Sequence, residues 1–369
     1  METLTTISVP LGQQSYSIAI GQGLHQRLHE LYPARASQRG YVIASDNLAE
    51  LFGAPVLHSL RLAGWDVDLL TVPDGESAKT IEIAGTLCRQ LAQSGLDRGA
   101  VLFALGGGAV GDLVGFVASI YMRGIDFVQL PTTLLAQADA SVGGKVAVDL
   151  PEGKNLVGAF HQPSAVFMDT HALRTLPVRH LRAGMAEVVK HAVIADIDLF
   201  SYIESQLDDI LAVDAEALKH LLARNCQIKV DIVTQDPLDK GIRSLLNLGH
   251  TIGHAVEAAT EEWEIHHGEA VAFGMLVEGR LAVQRGICAE SALERLRRLL
   301  QRLGFEADVD SVDLEQARAA LRRDKKIADG VLRLPLMFDV GDARMVDDVT
   351  VEQLDAVLCE TLRDDARLL

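Results

Sequence analysis

Three histidines and two glutamates stand at spacings that suit a metal ion. Asn247-Leu-Gly-His250-Thr-Ile-Gly-His254-Ala-Val-Glu257 places His250, His254 and Glu257 at i, i+4 and i+7. On a helix these positions share a face, with neighbouring Cβ atoms about 5–6 Å apart. His267 follows in His266-His267-Gly268-Glu269, at the start of another helical pattern. Gly184-Met-Ala-Glu187-Val-Val-Lys190 offers a glutamate and a lysine one turn apart. Neutral imidazoles with a carboxylate are the usual donors to zinc or a similar divalent ion. Taken singly, each histidine reads as a satisfied polar group on a helix; the pair with a remote third points to a metal. No glutamate follows His250 or His254, so the segment is not H-E-x-x-H and metalloprotease chemistry is not expected.

A second chemical signal is the run Leu102-Phe-Ala-Leu-Gly-Gly-Gly-Ala-Val-Gly-Asp112. An apolar strand enters Gly106, Gly107, Gly108 and Gly111, and a helix leaves. Glycines there let backbone approach a pyrophosphate, and the helix N-terminus offers free N–H groups and a positive dipole end. The three consecutive glycines depart from strict G-x-G-x-x-G, and a ligand-free strand-to-helix turn has the same local form. Further on come Pro131-Thr132-Thr133, Ser141-Val-Gly-Gly-Lys145 and Gly153-Lys154-Asn155. Two glycine-lysine steps set cations beside flexible backbone, as anion sites need.

The elements around these residues have two textures. Up to about Asp169, the runs Tyr16–Ile20, Tyr41–Ser45, Trp65–Val72, Ala100–Leu105, Phe127–Leu130 and Ala165–Met168 read as strands, with helical stretches such as Glu76–Gln93 between them. That alternation predicts a largely parallel, helix-covered sheet. After Leu176-Pro177, His180–Ile194, Ala215–Thr234, Leu245–Ala259, Glu269–Arg285 and Ala292–Leu303 read as helices, and only Val331–Val340 as strand. The expected architecture is an α/β N-terminal nucleotide-binding domain (1–176) and a mainly α-helical C-terminal metal- and substrate-binding domain (177–369).

Composition narrows the partners. With 34 basic and 51 acidic residues among 369, the formal charge is −17. A nucleic acid or an anionic membrane surface would call for a basic face, so neither is expected. The lysines of the glycine-rich segments are local exceptions, and they favour an anionic small-molecule substrate. The most apolar region, Val101–Met122, is interrupted by Asp112 and by glycines, which argues against a membrane span. Cys88, Cys226, Cys288 and Cys359 form no C-x-x-C pair, and the N-terminus shows no signal-peptide pattern. The expected compartment is the cytoplasm.

The segments together resemble the 3-dehydroquinate synthases, from Asp74-Gly-Glu-Ser-Ala-Lys79 to Asp324-Lys-Lys326. Between these, in family order, lie Gly106-Gly-Gly-Ala-Val-Gly-Asp112, Gly115-Phe116, Arg123-Gly124, Pro131-Thr-Thr-Leu-Leu135, Asp139-Ala-Ser-Val-Gly-Gly-Lys145, Lys154-Asn155, Glu187-Val-Val-Lys190, Arg243-Ser-Leu-Leu-Asn247, Gly249-His-Thr251 and His267-Gly-Glu269. The resemblance implies conversion of 3-deoxy-D-arabino-heptulosonate 7-phosphate to 3-dehydroquinate and phosphate. It implies NAD and one divalent ion, Zn²⁺ or Co²⁺, as cofactors, and a homodimer.

By the same resemblance the metal ligands are Glu187, His250 and His267. The NAD site takes Asp74, Gly75, Glu76, Lys79, Gly108, Ala109, Val110, Gly111, Asp112, Thr132, Thr133, Lys145, Lys154, Ala172, Leu173, Arg174 and Thr175. Substrate contacts are Asp139, Lys145, Asn155, Lys190, Lys229, Arg243, Asn247, His254 and one of Lys325 or Lys326. Arg123 reaches the phosphate from the neighbouring subunit. His266 departs from the usual apolar residue, so the choice of His267 rests on the His-Gly-Glu register. Asp239 stands where the family has a longer glutamate and receives no role; Asp46 and Asn47 match loosely as cofactor contacts. Two rival readings are a related sugar-phosphate cyclase and a metal-dependent polyol or glycerol dehydrogenase. A non-catalytic nucleotide sensor is a third, disfavoured by the complete metal set.

Overall fold

The β-branched runs of the first half line up as one sheet whose central strands are buried on both faces and whose edge strands are not. The computed structural model describes residues 4–35, 38–260, 265–305, 312–322, 327–328 and 331–364. Its strands are β1 (Thr5–Val9), β2 (Tyr16–Gly21), β3 (Arg39–Ser45), β4 (Asp66–Val72), β5 (Val101–Gly106), β6 (Asp126–Pro131), the hairpin β7 (Lys145–Leu150) and β8 (Gly153–Phe160), and β9 (Ala165–Asp169). The sheet order is β1-β2-β9-β6-β5-β3-β4. Neighbours are parallel except β1 and β2. From β3 the chain steps outward to β4, and from β5 it steps the other way to β6. The carboxyl ends of β3 and β5 therefore flank a switch point, where open α/β sheets bind ligands.

Every residue of β5 is buried. Leu102 and Ala104 pack on one face with Leu87, Val114 and Phe127, while Val101, Phe103 and Leu105 pack on the other with Leu60, Trp65 and Val128. Burial on both faces explains the unbroken apolar run. The helices of this half are α1 (Leu28–Leu31), α2 (Asp46–Leu48), α3 (Ala54–Leu62), α4 (Ile81–Gln93) and α5 (Gly108–Ile120). On α5, Gly111 and Gly115 let the helix settle on β6: an added Cβ would sit 2.8 Å from Gln129 Oε1 and 3.0 Å from Phe127 Cζ.

The second half is mainly helical: α6 (Val178–Ala195), α7 (Ile197–Leu211), α8 (Ala215–Gln235), α9 (His250–Glu257), α10 (His267–Gln284), α11 (Glu290–Leu303), α12 (Leu314–Arg322) and α13 (Val351–Asp364). An antiparallel sheet of β10 (Ile327–Ala328), β11 (Val331–Asp339) and β12 (Asp342–Thr350) joins them. The chain divides into two compact units, Met1–Leu176 with Val213–Val230, and Pro177–Ala212 with Asp231–Leu369. Among the described residues no helix is long and apolar enough to cross a membrane, and all four cysteines are free.

Three expectations are corrected. Val331–Val340 is not the only strand of the second half. It pairs with β12, whose sequence Asp342-Ala-Arg-Met-Val-Asp-Asp-Val-Thr350 is too polar to read as a strand alone. The helix expected at Glu76–Gln93 begins at Ile81, because Thr80 Oγ1 caps it by accepting from the Ile83 N–H at 3.3 Å. The helix expected at Leu245–Ala259 begins at His250, because Gly249 is left-handed (φ +78°) and ends the preceding 3₁₀ turn, Ile242–Asn247.

Candidate active site

In the second unit, Glu187 of α6 meets the first residues of two other helices, His250 of α9 and His267 of α10. One ligand atom from each lies within 4.8 Å of the others. Both imidazoles face Glu187 Oε1 through Nε2, at 3.7 Å from His250 and 3.3 Å from His267. Lys190, one turn along α6, pairs with the other oxygen of Glu187, and both side chains are almost wholly buried. His250 Nδ1 lies 3.2 Å from the Leu248 carbonyl oxygen, and His267 Nδ1 lies 3.4 Å from Glu257. Each ring therefore has its outer nitrogen occupied and its inner nitrogen turned to the same point. Two imidazoles and one carboxylate suit a zinc-like ion with a coordination position left for substrate.

The electrostatics agree with that reading. Burial, reinforced by the Lys190 ammonium, holds His250 well below its ordinary pKa, so it presents a neutral ring. Burial also opposes protonation of His267, but hydrogen bonds to Glu187 and Glu257 overcome it and carry the pKa up to about 10. A cation at this point takes the place of that proton.

Local packing holds the ligands. At the start of α10, Glu269 accepts from the His266 backbone N–H at 2.8 Å. The same carboxylate takes a two-pronged grip from Arg179 of α6, with Nε at 2.9 Å and Nη2 at 2.8 Å. The His266 ring packs edge-on against His180 at 4.6 Å and belongs to none of the possible metal-ligand groups among the described residues. Before α9, the Gly249 N–H donates to the buried Glu278 carboxylate at 2.6 Å. Neither Arg179 nor Glu278 was singled out from sequence. A carboxylate directly after the apolar run Ala270–Val277 is the signal that could have found Glu278.

In the first unit, the glycine turn joins β5 to α5 at the switch point. The Thr132 N–H donates to the Gly106 carbonyl oxygen at 2.9 Å, tying the ends of β5 and β6 together. Gly107 caps α5 with no side-chain acceptor for the free N–H groups. Thr132 Oγ1 is buried without a hydrogen-bond partner among the described residues. An unmatched hydroxyl beside a bare helix N-terminus fits a phosphate-bearing cofactor such as NAD. Thr133, at the head of the next helical turn, accepts from the Ala136 N–H at 3.1 Å.

Beside the turn, Lys79 Nζ lies 2.6 Å from Asp112 Oδ2 and 2.5 Å from Asn155 Oδ1. Asp149 Oδ1 accepts from the Asn155 N–H at 2.6 Å, and Asn47 donates to Asp74 at 3.2 Å. Burial raises the Asp112 carboxyl to about 6 despite the Lys79 ammonium. Burial likewise raises Glu76, against Lys79 and Lys154. Thus Asp74, Gly75, Glu76, Lys79, Asp112, Lys154 and Asn155 come from three stretches of chain to one place. Ala172 and Leu173 are buried, whereas Arg174 and Thr175 are exposed, in the 3₁₀ segment after β9.

Among the expected substrate contacts, Lys229 Nζ reaches Asp139 Oδ1 at 2.5 Å within the first unit. In the second unit, Arg243 is buried and donates to the Pro237 carbonyl at 2.9 Å. Its turn is organised by Asp236, whose carboxyl is held below its ordinary pKa by backbone N–H groups of Lys240, Gly241 and Arg243. Asn247 is half-buried, and His254 is exposed with its ring 5.4 Å from that of His250. Lys145 and Arg123 are exposed. Lys325 and Lys326 lie outside the described residues.

The family described as 3-dehydroquinate synthase N-terminal matches residues 69–183, and 3-dehydroquinate synthase C-terminal matches residues 184–327. The chain is 44% identical over 352 residues to a 3-dehydroquinate synthase of Caldanaerobacter subterraneus subsp. tengcongensis, covering 95% of this chain and 98% of the relative. Among solved structures it resembles 2-epi-5-epi-valiolone synthase from Streptomyces hygroscopicus subsp. jinggangensis with NAD⁺ and Zn²⁺ bound (31% identity, TM-score 0.84, 96% of this chain and 99% of that one). It also resembles a 2-deoxy-scyllo-inosose synthase complexed with carbaglucose-6-phosphate, NAD⁺ and Co²⁺ (27% identity, TM-score 0.88, 96% of this chain and 100% of that one).

Proposed function

The chain belongs to the 3-dehydroquinate synthase family, and on that premise we propose that it converts 3-deoxy-D-arabino-heptulosonate 7-phosphate to 3-dehydroquinate and phosphate in the cytoplasm, as a step of aromatic amino acid biosynthesis. The observation that carries the reading is the convergence of Glu187, His250 and His267 on one point. The NAD-binding domain is 1–176 and the metal- and substrate-binding domain 177–369. Bound NAD would accept and return a hydride at a secondary hydroxyl, and a divalent ion held by Glu187, His250 and His267 would acidify that hydroxyl as it would a bound water.

The chain's own groups do the rest. The bare N-terminus of α5 and the Thr132 hydroxyl hold the cofactor's phosphates, and Lys79 with Asp112 braces that site. Lys145, Asn155, Lys190 and Arg243 offer fixed cations and donors to the substrate's carboxylate and phosphate, where charge develops as phosphate leaves. Asp139, Lys229, Asn247, His254 and one of Lys325 or Lys326 complete the substrate contacts. The substrate's own phosphate takes the proton, so no side-chain base is required.

If one NAD is oxidised and reduced within each cycle, phosphate release runs for many turnovers with no matching rise in NADH absorbance. Stoichiometric NADH would instead favour the polyol dehydrogenase. Product identification separates the family reaction from that of a related cyclase.

The active form is a homodimer in which Arg123 completes the partner's phosphate site. Arg123 is exposed and, like Met122 before it, has a left-handed backbone (φ +68° and +52°). Such strain costs of order 1–3 kcal/mol per residue and clusters at functional sites. Mixing Arg123→Ala with Lys145→Ala subunits tests the arrangement. Neither homodimer should turn over well, while mixed dimers should recover a fraction of wild-type activity. No recovery, with the heterodimer confirmed by mass, overturns the shared site.

A further inference from the structure

The two imidazoles of the metal cluster are held from behind in different ways. His250 Nδ1 faces a backbone carbonyl, that of Leu248, at 3.2 Å. His267 Nδ1 faces a side chain, the Glu257 carboxylate, whose oxygens both lie 3.4 Å away. Glu257 ends α9 and His267 begins α10, so the contact crosses between two elements. Both side chains are partly shielded, at 14% exposure for Glu257 and 32% for His267.

We infer that Glu257 is a positioning residue for the metal centre: it accepts from Nδ1–H of His267, fixes the tautomer with the lone pair on Nε2, and aims that nitrogen at the point shared with Glu187 and His250. The inference rests on the metal reading above. A carboxylate behind a ligating imidazole also makes the ring a stronger donor, and loss of such a partner typically costs about 10–100-fold in metal affinity. A merely structural ion pair predicts otherwise. Joining two helix ends in a partly exposed setting contributes stability and would leave metal affinity alone.

The test is competition for Zn²⁺ with a chromophoric chelator, on wild type, Glu257→Gln and Glu257→Leu, with the Co²⁺ absorption spectrum of each. Leucine keeps the volume and removes the acceptor, and glutamine keeps an acceptor oxygen without the charge. The expected result is zinc affinity about 10–100-fold weaker in Glu257→Leu, an intermediate loss in Glu257→Gln, and a shifted cobalt spectrum in Glu257→Leu. Zinc affinity in both variants within about twofold of wild type would overturn it; if Glu257→Leu fails to fold, Glu257→Gln alone decides by the same criterion. A second zinc equivalent in wild type that disappears in the variants would make Glu257 a ligand and overturn it as well. Wild type that takes up no zinc would sink the metal reading itself, a result distinct from equal binding by wild type and variant.

Discussion

His267→Ala is expected to strip the protein of its divalent ion and abolish turnover, while His266→Ala keeps both nearly intact. The two residues are adjacent, yet the start of α10 sends their rings to different places. His267 Nε2 lies 3.3 Å from Glu187, inside the cluster with His250. The His266 ring packs edge-on with His180, and the helix start is a capping box of which alanine keeps one half, the backbone N–H to Glu269. Removing a ligand should cost more than the roughly 100-fold that loss of an outer partner can cost. Removing an aromatic contact at a partly exposed site should cost about 0.5–1.5 kcal/mol of stability. Metal content after dialysis, with chelator competition for the affinity, separates the two. Metal loss in His266→Ala with retention in His267→Ala would place the ligand one residue earlier.

Gly274→Ala is expected to destabilise the second unit severely and to weaken metal binding with it. The added Cβ would overlap the Gly249 carbonyl oxygen and stand 2.8 Å and 3.0 Å from the Gly249 carbonyl carbon and Cα. All three are backbone atoms. Gly249 cannot yield easily: its φ is +78° and its N–H is held by Glu278. Overpacking costs about 1–3 kcal/mol, and a backbone obstacle belongs at or above the top of that range. Because His250 follows Gly249 directly, pushing α9 off α10 also moves a ligand. Gly85→Ala is the control, since a Cβ there meets nothing within 4 Å. In the middle of α4 that change should be neutral, or stabilise by up to about 1 kcal/mol. Thermal unfolding, with and without zinc, reads both variants. A Gly274→Ala protein that melts with wild type would show that the two helices can part at little cost.

The ordered strands and the glycine turn were legible because their signal is local. Burial of β5 on both faces demands a continuous apolar run, and Gly106 with the glycines after it can be read without neighbours. Where partners decide, reading failed. β1 is a short threonine-rich edge strand, and β12 becomes a strand by pairing with β11. The β7–β8 hairpin was not among the strands expected from the runs around Lys145 and Lys154, yet it places Asn155 against Lys79.

The metal site divides the same way. Spacing alone put His250, His254 and Glu257 on one helix face, because the period of an α-helix follows from its backbone geometry. It could not choose among them: resemblance to a family named Glu187, His250 and His267, whereas composition and period left all five candidates standing. Only the packing of α6, α9 and α10 turns Nε2 of His250 and His267 toward Glu187, leaves His254 exposed, and sets Glu257 behind His267. The reason is range. A helix face is fixed by residues within a few positions, but the distance from Glu187 to His267 depends on contacts far apart in sequence, with Gly268 against Ala183, Gly274 against Gly249 and Glu278 on the Gly249 amide.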